Sequence, residues 1–134
     1  MKKSFSILII EENPAEVQLI RECIKILEYT ADLHVVKTYD EALQFICKRR
    51  KFENSPTPDI IISDMTIPGG SAYELLTEIK SNKEVHSIPF VVLTSSDYPE
   101  DISLCYSMGA AAIFNKDSEL EKLVHTIRKI IELL

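Results

Sequence analysis

The sequence predicts an α/β fold in which a doubly wound, five-stranded parallel sheet carries helices on both faces. Three observations lead there. Short apolar runs alternate with longer amphipathic stretches along the whole chain. The runs are rich in β-branched residues and almost continuously hydrophobic, the pattern of strands buried on both faces. The stretches between them carry helix start and stop signals in the expected places.

The first run is Phe5-Ser6-Ile7-Leu8-Ile9-Ile10. The helix after it opens with Asn13 as N-cap, Pro14 at the first helical position and Glu16 three residues past the cap, in capping-box position. Val17, Ile20, Ile24 and Leu27 then recur at helical spacing. A second run, Leu33-His34-Val35-Val36, leads to a helix over roughly Asp40 to Arg50, with Ala42, Leu43, Phe45 and Ile46 facing inward. The segment KRRKFENSPTP, 48–58, is basic, then polar and proline-rich, and reads as an exposed loop beginning at a solvated helix end. The third run is Asp59-Ile60-Ile61-Ile62-Ser63, followed by a helix over roughly Ser71 to Ser81 with Leu75, Leu76 and Ile79. The fourth, Pro89-Phe90-Val91-Val92-Leu93, precedes the least periodic helix, about Pro99 to Met108, stopped by Gly109. After the fifth run, Ala111-Ala112-Ile113-Phe114, comes the clearest helix. Leu120, Leu123, Val124, Ile127, Ile130, Ile131 and Leu134 form one apolar stripe along it.

Composition narrows the function classes. A chain of 134 residues, 46% hydrophobic with 3 Gly and 6 Pro, is expected to form one domain over 1–134 and excludes a disordered or low-complexity protein. Lys and Arg total 15 against 21 Asp and Glu, a net charge of −6, which argues against direct nucleic-acid binding. Cys23, Cys47 and Cys105 have no metal-like spacing, and their odd number suits a reducing compartment. His34, His86 and His125 show no ligand spacing either. Wholly apolar runs such as Ile7 to Ile10 are far too short to span a membrane, and the Met1-Lys2-Lys3-Ser4 start lacks the apolar segment of a signal peptide. A cytoplasmic location follows as the expectation.

In open α/β sheets the chemistry gathers at the carboxyl ends of the strands, where strand order reverses. Glu11 and Glu12 follow the first strand, Asp64 the third, Thr94-Ser95-Ser96-Asp97 the fourth, and Asn115-Lys116-Asp117 the fifth. If the first and third strands are neighbours, Glu11, Glu12 and Asp64 converge. Three hard carboxylates together call for a cation, and oxygen-only ligation suits Mg²⁺, with Mn²⁺ as the alternative. A hydroxyl from Thr94 and the Lys116 ammonium nearby suit a group that gains negative charge, such as a phosphoryl. Singly, each residue reads as a solvated loop acid, a turn hydroxyl or a snorkelling lysine. Their joint appearance at successive strand ends is what points to phosphoryl transfer onto an aspartate.

With these residues in view, the chain resembles the receiver domains of two-component response regulators, of the stand-alone, CheY-like chemotaxis-regulator type. The likeness rests on 7–14 (ILIIEENP), 58–69 (PDIIISDMTIPG), 88–96 (IPFVVLTSS) and Gly109-Ala110-Ala111 through Lys116, and it covers nearly the whole sequence. It implies a flavodoxin-like (βα)5 fold with strand order 2-1-3-4-5, an order that belongs to this family's fold and is taken over from it. It further implies that Asp64 is the phosphoacceptor, taking its phosphoryl group from a sensor histidine kinase or phosphotransfer protein. Glu11 and Glu12 would hold Mg²⁺ with Asp64 and the backbone carbonyl of Thr66. Thr94 would be the switch hydroxyl, Lys116 the partner of the phosphorylated aspartate, and Ser95 the small residue that gives the phosphoryl group access. By the same resemblance, Thr66 and Ser96 would occupy positions where the family varies residues that tune dephosphorylation.

Three departures from the family's pattern stand out. Glu12 replaces the usual Asp, and its extra methylene shifts a carboxylate that Mg²⁺ needs well placed. Ile113 stands where a switch Tyr or Phe is usual, and Asp117 where a proline usually follows the lysine. These departures support a second reading, a degenerate pseudo-receiver that binds its partner without phosphorylation. An unrelated α/β enzyme is a weaker third, since no GxGxxG or GxxxxGK[ST] follows the first strand and Thr66 stands where a phosphatase would place its acid. In the receiver reading the chain is no enzyme beyond self-catalysed phosphotransfer and autodephosphorylation. No residue follows Leu134, so its output is expected to be contact with a downstream effector protein, through the face of the fourth helix, fifth strand and fifth helix. The apolar end Ile130-Ile131-Glu132-Leu133-Leu134 leaves monomer and homodimer both open.

Overall fold

The computed structural model describes residues 4–95, 99–116 and 119–134. The elements run β1 (Ser4–Ile10), α1 (Pro14–Ile26), β2 (Thr30–Val36), α2 (Tyr39–Ile46), β3 (Ile60–Ser63), β4 (Thr66–Ile67), β5 (Gly70–Ser71), α3 (Ala72–Lys80), β6 (Phe90–Thr94), α4 (Pro99–Ser107), β7 (Ala112–Asn115) and α5 (Leu120–Ile131). β1, β2, β3, β6 and β7 form one parallel sheet in the order β2-β1-β3-β6-β7. Counting only these five strands in chain order gives 2-1-3-4-5, as the resemblance implies. β4 and β5 form a small antiparallel hairpin of their own.

Alternate residues of each central strand enter opposite cores. Leu8 and Ile10 face α2, α3 and α4, among Phe45, Leu75, Leu76 and Ile79. Ile7 and Ile9 face α1 and α5, among Ile20, Ile24, Ile127 and Ile130. β3 and β6 are wholly buried, as near-continuous apolar runs require. The outer strands differ from the expectation of two-sided burial: in β2 only Val36 is buried, and β7 has no fully buried residue. Each lies at an edge of the sheet, so half its surroundings is solvent. β2 also starts earlier than its apolar run, because pairing from Ser4↔Thr30 onward draws Thr30, Ala31 and Asp32 into the ladder.

Local signals explain the helix bounds. Asn13, Thr38 and Ser71 each accept a backbone N–H as N-caps of α1, α2 and α3. α4 ends at Gly109, with φ at +97°; Gly109 N–H donates to the Tyr106 carbonyl at 3.0 Å and Ala110 N–H to that of Cys105 at 3.0 Å, a Schellman closure. Gly70 is needed for a different reason: a Cβ there would meet Cδ2 of the Tyr39 ring at 2.5 Å. Two expectations are corrected. The 48–58 segment is not wholly an exposed loop, since a 3-10 turn at Arg50–Phe52 tucks Phe52 against Phe45, ring centroids 5.3 Å apart. The α5 stripe is shorter than its pattern, with Leu123, Ile127, Ile130 and Ile131 buried but Leu120 and Leu134 exposed at its ends.

Gly109→Ala should lower folding stability by about 1 kcal/mol, because the cap needs the left-handed conformation that a Cβ disfavours. A urea midpoint equal to that of the wild type would refute this account of the α4 terminus.

Candidate functional site

The reversal of strand order lies between β1 and β3, and the ladder continues one residue past each strand to fix the roots of the site. Glu11 N–H donates to the Val36 carbonyl at 3.0 Å and Asp64 N–H to the Ile10 carbonyl at 3.1 Å. Across the sheet, Lys116 N–H donates to the Thr94 carbonyl at 2.7 Å. Three side chains from three different strand ends are thereby aimed at one place.

Their meeting point is the Lys116 ammonium. Nζ lies 2.6 Å from Glu11 Oε1, 2.7 Å from Glu16 Oε2 and 3.2 Å from Asp64 Oδ2. Glu11 is buried, only 7% exposed, and its second oxygen accepts the Asn13 N–H at 3.1 Å. The Asp64 side chain is 26% exposed, open to an incoming group, and its Oδ1 accepts the Met65 N–H at 2.8 Å. Glu11, Glu16 and Lys116 line a cleft of about 300 Å³ together with Leu19, Ile20, Leu93, Leu123 and Ser95.

One ammonium among three carboxylates leaves excess negative charge, and the proton affinities record it. Burial alone would raise Glu11, but the contacts with Glu16, Lys116 and the Asn13 N–H outweigh it and hold Glu11 below the usual carboxylate range. Glu16 is pushed up, chiefly by the neighbouring Glu11 carboxylate and then by burial. Burial would lower Lys116, yet its bonds to Glu11 and Glu16 and the charge of Asp64 drive it well above the usual lysine range.

Of the residues singled out in the sequence, the structure brings Glu11, Asp64 and Lys116 together and places Thr94, buried, at the root of Lys116. Glu12 does not join them; it is exposed at the rim, as is Thr66. The expected convergence of three acids is therefore corrected in its membership: the third carboxylate at the cluster is Glu16. Its position three residues past the cap reads as a capping box, but the N–H of Asn13 is taken by Glu11 and Glu16 turns to Lys116. Ile113 is half-buried on β7, and its N–H donates to the Tyr106 hydroxyl of α4 at 3.2 Å. Ser96 and Asp117 lie outside the described residues.

Among the described residues no three His, Cys, Asp or Glu side chains are grouped for a metal ion. The donor chemistry nevertheless fits a small divalent cation, since Glu11 and Asp64 are hard oxygen ligands that already share one positive charge.

Comparisons with known proteins agree with this geometry. The family model for the response regulator receiver domain matches residues 7–128. The response regulator Rcp1 of Synechocystis sp. is 30% identical over 124 residues, covering 92% of this chain and 84% of that protein. A probable methanogenesis regulatory protein, FilR2 of Methanothrix harundinacea, is 27% identical, covering 96% and 82%. Among solved structures, the phosphorylated cyanobacterial phytochrome response regulator RcpA superposes with a TM-score of 0.89 at 28% identity, over 97% of this chain and 93% of that one. The Mn²⁺-bound form of Rcp1 gives 0.86 at 29% identity, over 94% and 91%.

Removing the ammonium strands Glu11 in a buried place, so Lys116→Met should cost about 1–3 kcal/mol near neutral pH. A lysine raised in the folded state lends stability that is whole below about pH 10, its unfolded value, and fades as pH climbs towards the folded one. The stability gap between wild type and Lys116→Met should thus be level near neutrality and narrow above about pH 10 in denaturant titrations. A gap that widens there would contradict the cluster.

Proposed function

This chain belongs to the response regulator receiver domain family, and from that membership we propose that Asp64 accepts a phosphoryl group from a phosphohistidine of a sensor histidine kinase or phosphotransfer protein. The observation that carries the reading is an open carboxylate at the β3 carboxyl end that shares the Lys116 ammonium with a buried glutamate. A receiver is a signalling domain rather than a conventional enzyme. The pseudo-receiver reading is not favoured by the family match or by the relatives.

In the proposed step an Asp64 oxygen attacks phosphorus, the P–N bond breaks, and the imidazole leaves and takes up a proton as the acyl phosphate forms. Lys116 compensates the charge that develops on the phosphoryl oxygens. The Thr94 hydroxyl, rooted beside Lys116, serves as the switch group that turns to the phosphoryl oxygens. Ser95 keeps the approach open. Glu11, Asp64 and the Thr66 carbonyl are the ligands proposed for Mg²⁺, with Glu12 joining from the rim, directly or through water. Bound there, the metal neutralises the transferring group and helps to align it. The relative Rcp1 has a Mn²⁺-bound form, which supports a divalent cation as the metal. Self-catalysed dephosphorylation would use the same residues.

Among the described residues no helix is long and apolar enough to cross a membrane, and a cytoplasmic location is part of the proposal. Output is proposed to pass by contact with an effector protein through α4, β7 and α5, where Leu104, Tyr106 and Leu120 are exposed. Either a monomer or a homodimer would serve, and native mass at high concentration separates them.

Intact-protein mass after incubation with Mg²⁺ and acetyl phosphate should rise by one phosphoryl group, and neither Asp64→Asn nor the metal-free protein should gain it. A folded wild type that gains nothing would overturn the acceptor reading. Glu12→Asp restores the family's shorter acid and should speed phosphoryl gain at limiting Mg²⁺; an unchanged or slower rate would remove Glu12 from the metal site.

A further inference from the structure

We propose that Glu16 is a positioning residue for phosphoryl transfer, a latch that competes with Asp64 for the Lys116 ammonium and keeps it nearer itself until the acceptor carries enough charge to draw it over. The inference deepens the reading of Asp64 as acceptor and rests on it.

Lys116 is not centred on its proposed working partner. Nζ lies at 2.7 Å from Glu16 and 2.6 Å from Glu11 but at 3.2 Å from Asp64. Only the head of the side chain is free to choose, because the main chain of Lys116 is pinned to the Thr94 carbonyl at 2.7 Å. Glu16 is just as firmly rooted, in the first turn of a helix whose start is set by the Asn13 cap and Pro14. The apolar wall of Leu19, Leu93 and Leu123 lies along the cleft that Glu16 and Lys116 share. A partly buried ion pair there is less screened than one in open solvent.

The three carboxylates have different duties. Glu11 and Asp64 are the two proposed for the cation, so once a cation engages them the carboxylate left to hold the ammonium is Glu16. When Asp64 becomes an acyl phosphate, the added negative charge outbids one glutamate. The Lys116–Glu16 pair then breaks and a Lys116–phosphoryl pair forms, with no change of protonation required. Glu16 thereby sets how readily the lysine is surrendered, and it acts only through Lys116.

Two measurements test this on the full chain. The first needs no phosphoryl chemistry: zero-length carbodiimide coupling of Lys116 to neighbouring carboxylates, read by peptide mass. The wild type should couple Lys116 to Glu16 in preference to Asp64, and Glu16→Gln should raise Lys116–Asp64 coupling roughly three- to tenfold, the scale of one partly screened ion pair. The second is the initial rate of phosphoryl gain from acetyl phosphate with Mg²⁺. Glu16→Gln should be faster than wild type by a similar factor, whereas Lys116→Ala and the Glu16→Gln/Lys116→Ala double variant should match each other. Glu16 is only partly buried, so its amide variant is expected to fold, and a thermal melt verifies that. Unchanged Lys116–Asp64 coupling overturns the latch. So does a Glu16→Gln rate that is unchanged or slower, or a rate gain that persists without Lys116, which would mark a general charge effect. A wild type that gains no phosphoryl group sinks the acceptor reading and the latch together, and is recognised because that failure appears before any Glu16 variant is compared.

Discussion

The site depends on one shared positive charge. A glutamate as buried as Glu11 is costly to keep ionised unless a cation and hydrogen bonds compensate it. Lys116 supplies the cation and the Asn13 N–H one of the hydrogen bonds. The same ammonium gathers Asp64 and Glu16, so residues just past β1, β3 and β7 and one from α1 are tied at a single atom. The remaining negative charge makes the place receptive to a further cation.

That arrangement is possible because the sheet holds its roots still. β1 and β3 lie at the centre, packed on both faces by isoleucines and leucines whose alternation serves two separate cores. Ladder hydrogen bonds run one residue beyond the strands and carry this rigidity to Glu11 and Asp64. The edge strands contribute differently. β7 is only half-buried, and its outward Ile113 N–H finds the Tyr106 hydroxyl on α4, so an aromatic side chain does bridge α4 and β7 although none stands at position 113. The buried sulfurs of Met65 and Cys105, 3.7 Å apart, join the residue after Asp64 to the same helix.

Much of the site was legible because strand ends are easily read: an apolar run stops, and the first polar residues after it lie at the carboxyl edge. Glu11, Asp64, Thr94 and Lys116 all declare themselves in that way. Glu16 did not. It stands where helix-capping chemistry wants an acid, and one residue type serves two physical purposes there. The distinguishing clue was available in principle, since Glu11 lies two residues before Asn13 and can take the cap's N–H itself. Glu12 stays outside the ammonium cluster, because adjacency in sequence does not mean that two neighbouring side chains share a direction.

Hydrophobic period, capping residues and glycine or proline punctuation depend on a few neighbouring residues, so the sequence by itself determined the strands, the helices and the doubly wound class. The receiver motifs in it carried the family. What tertiary structure alone decided was partnership: which strands became edges, how far α5 stays buried, and which three acids share Lys116. Those outcomes depend on residues about a hundred positions apart, Lys116 with Glu11 and Glu16. Only the folded sheet, with its charges partly withdrawn from water, determines which of the available carboxylates comes close enough to bind the ammonium.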